Sequence, residues 1–113
     1  MEEKVVKVQV KNIAQSPLKL RLVVDTVRGK SVEDALAILS ILRKKGTETV
    51  SKAILSGVAN AREIYSVDKG DLVVNKVTVD EARTLKRTRF GSRGRVSRID
   101  KRRSHINLEL KVK

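Results

Sequence analysis

The chain has 113 residues, no cysteine, and 26 lysine and arginine residues against 13 acidic residues, giving a formal net charge of +13. Without cysteine it can form neither a disulfide framework nor a thiolate metal site. The sequence MEEKVVKVQVKN at the start has no signal-peptide core, and no apolar run reaches transmembrane length. We therefore expect a soluble intracellular protein without a membrane partner. So basic a chain predicts nucleic acid as its partner.

Three segments predict β-strands. Apolar and polar residues alternate over 5–10 and again over 106–112, and a valine-rich run spans 72–79. Consecutive strands usually pair as neighbours, so the last two should form an antiparallel pair.

Three helices are predicted between the first two strands. Ser16-Pro17 offers a capping hydroxyl and a first-turn proline, and Gly29 offers a left-handed end. Ser31 begins a short second helix, in a capping box with Asp34. Thr47 is predicted to cap the third and longest helix.

The most basic stretch runs from Arg83 to Arg103. Ten of its 21 residues are Arg or Lys and Asp100 is its only acid, which gives it +9 of the total charge. Unpaired buried charge costs several kcal/mol per ion. These side chains therefore cannot pack into a core, and they require an external polyanion.

This stretch is predicted to form an arm, a long β-hairpin over about residues 81–104, because the last two strands flank it. Gly91-Ser92-Arg93-Gly94 is the best candidate for its turn, since glycine tolerates positive φ. An arm of about ten residues per side would project roughly 30–35 Å. A hairpin of that length is marginal alone, so we expect the tip to become ordered against its partner.

The few aromatic residues limit the kind of nucleic acid. Tyr65 and Phe90 are the only aromatics, which argues against a stacking platform for single strands and favours folded, backbone-dense nucleic acid. Phe90 either wedges against a base or covers the backbone of the arm.

The remaining polar residues do not form a catalytic site. His105, the only histidine, is expected to face outward or to anchor the backbone as a donor. Asp80 and Glu81, neighbours on a strand, point to opposite faces, so pairing with arginines at the arm base is favoured over a metal or acid–base site. The run 43–45 is interpreted as a solvated helix end rather than an RNA contact. We predict no enzyme, metal or cofactor.

Motifs along almost the whole chain resemble the ribosomal protein L twenty-two family of the large subunit, in its short bacterial or organellar form. The matching segments are Ser16-Pro17-Leu18-Lys19-Leu20-Arg21-Leu22-Val23, Arg28-Gly29-Lys30, Ser56-Gly57-Val58-Ala59-Asn60-Ala61, Val79-Asp80-Glu81, Gly94-Arg95, Ile99, Lys101-Arg102 and Ser104-His105-Ile106. The tip, Phe90-Gly91-Ser92, departs from the Pro-Arg-Ala common in that family.

The resemblance implies an α+β fold over a single domain, residues 1–113. Three helices would pack on a small three-stranded antiparallel sheet, with the basic β-hairpin as a long extension. The implied RNA-binding residues are Lys19, Arg21, Arg83, Lys86, Arg87, Arg89, Phe90, Arg93, Arg95, Arg98, Lys101, Arg102, Arg103 and His105.

The resemblance also implies a role. The chain would be a monomer when free and a cytoplasmic ribosomal protein, or one of an organellar ribosome. It would bind large-subunit ribosomal RNA and neighbouring ribosomal proteins, support subunit assembly, and line the nascent-peptide exit tunnel with its hairpin tip.

The main alternative is an architectural DNA-binding protein with a basic β-arm. Such proteins usually present two arms from a dimer, whereas here three predicted helices can form one self-sufficient domain.

Overall fold

Residues 4–42, 44–82, 85–90 and 96–113 are described by the computed structural model, with the backbone alone at 85–90 and 96–101. Within these residues the elements in chain order are β1 (Val5–Ile13), α1 (Pro17–Val24), α2 (Val32–Ile41), α3 (Thr47–Tyr65), a 3-10 helix (Lys69–Asp71), β2 (Leu72–Glu81), β3 (Leu85–Phe90), β4 (Val96–Lys101) and β5 (Ser104–Val112).

The C-terminal strand β5 is the centre of a three-stranded sheet. It pairs antiparallel with β1 on one side and with β2 on the other. Leu108 lies between Val8 and Val77 in this register. Alternate residues of β5, including Leu108, are buried, so the predicted alternation and the predicted pairing are confirmed.

The three helices bury their apolar faces against this sheet. The core contains residues from all three helices and all three strands: Val6, Leu20, Val23, Val24, Val27, Val32, Ala35, Leu39, Val50, Ala53, Ile54, Val58, Ala61, Leu72, Val74, Val77, Val79, Ile106, Leu108 and Leu110. Gly57 brings α3 close to the sheet, because a Cβ there would lie 2.6 Å from Leu110 Cδ1. The predicted α+β class is confirmed.

The first helix is shorter than predicted. It ends at Val24 rather than at Gly29, although Gly29 does have a positive φ of 77°. The chain turns away early because the Gly29 N–H donates to the Val74 carbonyl (3.0 Å), and the Lys30 carbonyl accepts from the Val74 N–H (2.8 Å). Pairing with the edge of β2 thus replaces the last turns of the helix.

One predicted cap was wrong and two are partly formed. The predicted start of α1 is confirmed, with Ser16 as the N-cap and Pro17 as the first helical residue, but the Ser16 hydroxyl makes no capping hydrogen bond. Gly46, not Thr47, is the N-cap of α3, and the Thr47 hydroxyl donates back to the Lys44 carbonyl at 3.0 Å. The Ser31 hydroxyl accepts from the Asp34 N–H at 3.3 Å, which is one of the two bonds of a capping box.

Of the two described glycines with a positive φ, Gly46 should be the less replaceable. Its φ is 99°, and a Cβ there would lie 2.5 Å from Gln15 Oε1 and 2.8 Å from Leu20 Cδ2. Gly46→Ala should therefore cost left-handed strain of about 1–2 kcal/mol plus about 1–3 kcal/mol of overpacking. Chemical denaturation measures both losses together as the change in the free energy of unfolding.

Gly29→Ala is the matched control. Its φ of 77° is also positive, but a Cβ would meet nothing within 4 Å, so only the strain of about 1–2 kcal/mol applies. Equal losses in the two variants would show that the space around Gly46 does not matter.

Candidate nucleic-acid interface

The backbone of the arm forms a second, two-stranded sheet. Strands β3 and β4 pair antiparallel from Leu85 opposite Lys101 to Phe90 opposite Val96. In this register the predicted RNA-binding cations of the two strands are staggered. Arg98 lies opposite Thr88, between Arg87 and Arg89, while Lys101 lies opposite Leu85 and Lys86 lies opposite Asp100. Arg83, Arg93, Arg95 and the predicted turn at Gly91–Gly94 lie outside the described residues.

The base of the arm is tied to the end of β1. The Ala82 N–H donates to the Arg103 carbonyl at 2.9 Å, which continues the β2–β5 pairing toward the arm. Arg103 Nη1 donates to the Asn12 carbonyl at 3.2 Å, and the Asn12 N–H donates to His105 Nδ1 at 3.0 Å. Asn12 itself has a φ of 57°. Both polar groups of the Asn12 backbone are therefore used to fix the arm base.

His105 does anchor the backbone, but not as the predicted donor. Its Nδ1 accepts the proton of the Asn12 N–H, so the tautomer or protonation state here must leave Nδ1 unprotonated. The opposite nitrogen, Nε2, then carries the ring proton and can act as a donor.

The carboxylate of Asp80 has a partner other than the predicted arginines. Its Oδ2 accepts from Asn107 Nδ2 at 2.6 Å across the β2–β5 pair. Among the described side chains, none of the ion pairs joins Asp80 or Glu81 to an arginine. The prediction was wrong for the described arginines because the amide of Asn107, the diagonal cross-strand neighbour of Asp80, binds this carboxylate. Arg83 lies outside the described residues.

Gln15 joins three segments of the chain beside the arm base. Only 7% of it is exposed, and its Nε2 donates to the Lys45 carbonyl at 2.7 Å. The Gln15 carbonyl accepts from the hydroxyl of Ser104, which is fully buried, at 2.6 Å. The β1–α1 loop, the α2–α3 loop and the start of β5 are thereby held together.

These segments surround an open cleft of about 600 Å³, which we call the basal cleft. Its lining residues are Ala14, Gln15, Ser16, Lys19, Lys45, Arg102 and Arg103. Three predicted RNA-binding residues, Lys19, Arg102 and Arg103, thus line the same cleft. More than 80 residues separate Lys19 from the two arginines in the sequence. Sequence reasoning missed Gln15, and it interpreted Lys45 as part of a solvated helix end.

Arg21 has a structural task that the sequence did not indicate. Its Nε and Nη2 donate to the Val79 carbonyl at 3.2 and 3.0 Å. Arg28, seven residues later in the turn after α1, donates in the same way to the Val77 carbonyl at 3.3 and 2.8 Å. Because β2 is an edge strand, its outward carbonyls lack ladder partners, and these two arginines satisfy them.

A family model described as ribosomal protein L22p/L17e matches residues 8–111. The chain belongs to this family. It is also 50% identical over 93 residues to the large ribosomal subunit protein uL22 of Desulfitobacterium hafniense (strain Y51), a match that covers 82% of each chain.

Membership of the L22p/L17e family makes the chain a structural, non-enzymatic component of the large ribosomal subunit. This decides against the architectural DNA-binding alternative. Among the described helices, none is both long enough and apolar enough to cross a membrane.

Removing the Ser104 hydroxyl should weaken the junction around Gln15. Ser104→Ala leaves the buried Gln15 carbonyl without the donor at 2.6 Å, and an unsatisfied buried acceptor costs about 1–3 kcal/mol. Thermal unfolding should show this loss. Ser40→Ala is the control, because the Ser40 hydroxyl also donates to a carbonyl but is exposed. That change should stay within about 0.5 kcal/mol, and equal losses at both positions would contradict the role of the junction.

Proposed function

We propose that the chain binds large-subunit ribosomal RNA, chiefly through the arm, and in doing so supports early assembly of the subunit. The observation that carries this is the concentration of +9 in residues 83–103. Within this stretch β3 and β4 form a two-stranded sheet that is separate from the core sheet. Arginine suits this task because its planar guanidinium makes bidentate contacts with phosphate.

The domain supplies a rigid base for the arm. The described core lies in residues outside the hairpin. The start and end of the arm are held by the Ala82 N–H, which donates to Arg103, and by the Asn12 and Gln15 carbonyls, which accept from Arg103 and Ser104. An arm fixed at its base loses less conformational freedom when it binds. The proposed RNA-binding residues of the arm are Arg83, Lys86, Arg87, Arg89, Phe90, Arg93, Arg95, Arg98 and Lys101, with Lys19, Arg21, Arg102, Arg103 and His105 on the domain side.

We further propose that the tip of the arm lines the nascent-peptide exit tunnel, and that the free protein is a cytoplasmic monomer that joins RNA and neighbouring proteins on assembly. The longest principal dimension of the molecule is 65 Å, against 28 and 19 Å for the other two. This elongated shape supports an arm that extends from the subunit surface into the interior of the subunit.

Competition binding tests the RNA assignment. Labelled large-subunit ribosomal RNA should be displaced by the same unlabelled RNA far more readily than by small-subunit RNA or duplex DNA of equal phosphate concentration. Equal displacement by all three would mean that the charge of the arm binds any polyanion, and the proposal would fail.

Cross-linking tests the tunnel assignment. A photoreactive amino acid at Ser92 of the full chain, assembled into ribosomes that hold a stalled nascent peptide, should cross-link to that peptide. A photoreactive group at Lys69, in the 3-10 helix of the domain, is the control and should not. Cross-links from both positions or from neither would contradict the assignment.

A further inference from the structure

We propose that the outer edge of β1 binds an extended, acidic segment of another protein as an added strand of the core sheet. In complexes of this kind the two backbones hydrogen-bond as neighbouring strands do, and alternate side chains give the specificity. The proposal concerns the domain and a protein partner, so it does not depend on RNA binding by the arm.

The two edges of the core sheet differ in how far the chain covers them. At the edge of β2, Val74 exchanges two hydrogen bonds with residues 29 and 30, and two arginines occupy further outward carbonyls. The opposite edge is β1, a strand of nine residues, and no described strand or loop pairs with its outer side. Because proteins usually cover or block an exposed edge, this difference marks β1 as the edge that can accept a strand.

The outer edge of β1 presents the backbone of Lys7 and Gln9. The Lys4 carbonyl accepts from β5 at 2.9 Å, so the alternation of an antiparallel ladder directs the N–H and C=O groups of Val5, Lys7 and Gln9 away from β5. The Tyr65 hydroxyl donates to the Val5 carbonyl at 3.3 Å. None of the described hydrogen bonds reaches the outward groups of Lys7 or Gln9. These two residues therefore offer both donors and acceptors to a further strand.

The helix-facing side of β1 is incompletely covered along the same edge. Val8 lies opposite Leu108 and Val10 lies opposite Ile106. The two residues of β5 are only 3% and 1% exposed, whereas Val8 and Val10 are half-buried. Apolar side chains of an added strand would cover these two valines, and removal of apolar surface from water favours binding.

The charge of β1 selects an acidic partner. The strand contains no acidic residue, and its Lys7 and Lys11 are exposed. Glu109 lies opposite Lys7 on β5, but none of the described ion pairs joins these two residues. Opposite charges on neighbouring strands stabilise their pairing, and like charges weaken it. A segment in which acidic and apolar residues alternate would place carboxylates beside the lysines and apolar groups beside the half-buried valines.

A second copy of the chain is a poor occupant of this edge. Two β1 strands would bring together lysines from both copies without a single carboxylate from either strand. Lysine on an exposed edge strand is a common means of preventing such self-association. The occupant we propose is therefore a segment of a different protein.

Peptide binding with amide hydrogen exchange tests the proposal on the full chain. The probe is a synthetic peptide in which glutamate and valine alternate over the length of β1. When it binds, exchange at the N–H groups of Lys7 and Gln9 should slow by at least about tenfold, because only paired N–H groups are protected. The N–H groups of Val6 and Val8, which face β5, should change little. A peptide with lysine in place of glutamate is the control and should not bind.

Two kinds of variant separate the backbone from the charge. Gln9→Pro removes an outward N–H without breaking the β1–β5 ladder, and it should weaken binding of the acidic peptide at least about tenfold. Gln9→Thr keeps that N–H and should stay within about threefold. Lys7→Gln with Lys11→Gln should weaken binding about 2- to 30-fold, the effect of two lost cross-strand charge pairs. Thermal unfolding verifies the fold of each variant.

Binding of the acidic peptide without protection at Lys7 and Gln9 would overturn the proposal, as would equal binding of the acidic and basic peptides. A dimer of the free chain with these two N–H groups protected would show that a second copy occupies the edge.

A photoreactive residue at Gln9 tests the occupant in assembled large subunits, where it should cross-link to a segment of another protein. Cross-links to RNA alone would contradict a protein partner and leave RNA binding by the arm intact.

Discussion

A variant without residues 85–101 should remain folded. Its affinity for large-subunit ribosomal RNA should fall at least about 100-fold, because affinity depends steeply on the number of phosphates that the protein neutralises. In this variant two glycines join Thr84 to Arg102. The short link suffices because Ala82 and Arg103 are already hydrogen-bonded partners.

The fold should survive because the deleted segment contributes nothing to the described core. Every core residue lies before Ala82 or after Arg103, and β3 and β4 pair with each other in a sheet of their own. The affinity should fall because the deletion removes seven of the ten cations of the basic stretch: Lys86, Arg87, Arg89, Arg93, Arg95, Arg98 and Lys101.

A charge-neutralised arm is the matched control for the loss of length. Replacing the cations Lys86, Arg87, Arg89 and Arg98 with glutamine keeps the whole hairpin and removes four positive charges. If charge carries the affinity, this variant should lose most of the RNA affinity that the deletion variant loses.

Loss of the cooperative unfolding transition in the deletion variant would contradict a domain that folds independently of its arm.

The affinity of the full chain for ribosomal RNA should fall steeply with salt. Neutralising six to ten phosphates implies a decrease of about 10³- to 10⁵-fold between 50 and 200 mM monovalent salt, on the scale known for duplex DNA. Filter binding at five or six salt concentrations gives the slope directly. The arm-deletion variant is the comparison, and its slope should be shallower because fewer phosphates remain neutralised.

A decrease of less than about tenfold over this range would mean that few phosphates are contacted. The recognition would then depend on hydrogen bonds or apolar contacts, and the ten cations of the basic stretch would have another purpose.

The core and the sheet could be predicted because their patterns are local and periodic. The alternation of apolar and polar residues in β1 and in β5 indicated both the strand and its buried face. Antiparallel pairing of β2 with β5 followed from the rule that consecutive strands pair as neighbours. These features depend on residue type and spacing, which a single sequence displays.

The helix ends and the basal cleft could not be predicted because tertiary contacts decide them. Gly29 is a good helix end by local rules, yet α1 stops at Val24 since residues 29 and 30 pair with Val74. The cleft depends on Gln15, which binds residues 30 and 89 positions away. An uncharged glutamine beside a predicted helix start gives no signal of such a role.

The charge of a residue likewise did not reveal its partner. Arg21 and Arg28 look alike in sequence to the cations of the arm, but their guanidinium groups satisfy carbonyls at the edge of β2. His105 was recognised as an anchor, but the direction of its hydrogen bond required the position of the Asn12 N–H.

Cofractionation tests the central claim most directly. The tagged full chain is expressed in its own organism, and the lysate is separated on a sucrose gradient after a high-salt wash. We predict that the chain sediments with large ribosomal subunits and stays with them through the wash, while the arm-deletion variant is released. Recovery with DNA and absence from washed large subunits would contradict the account.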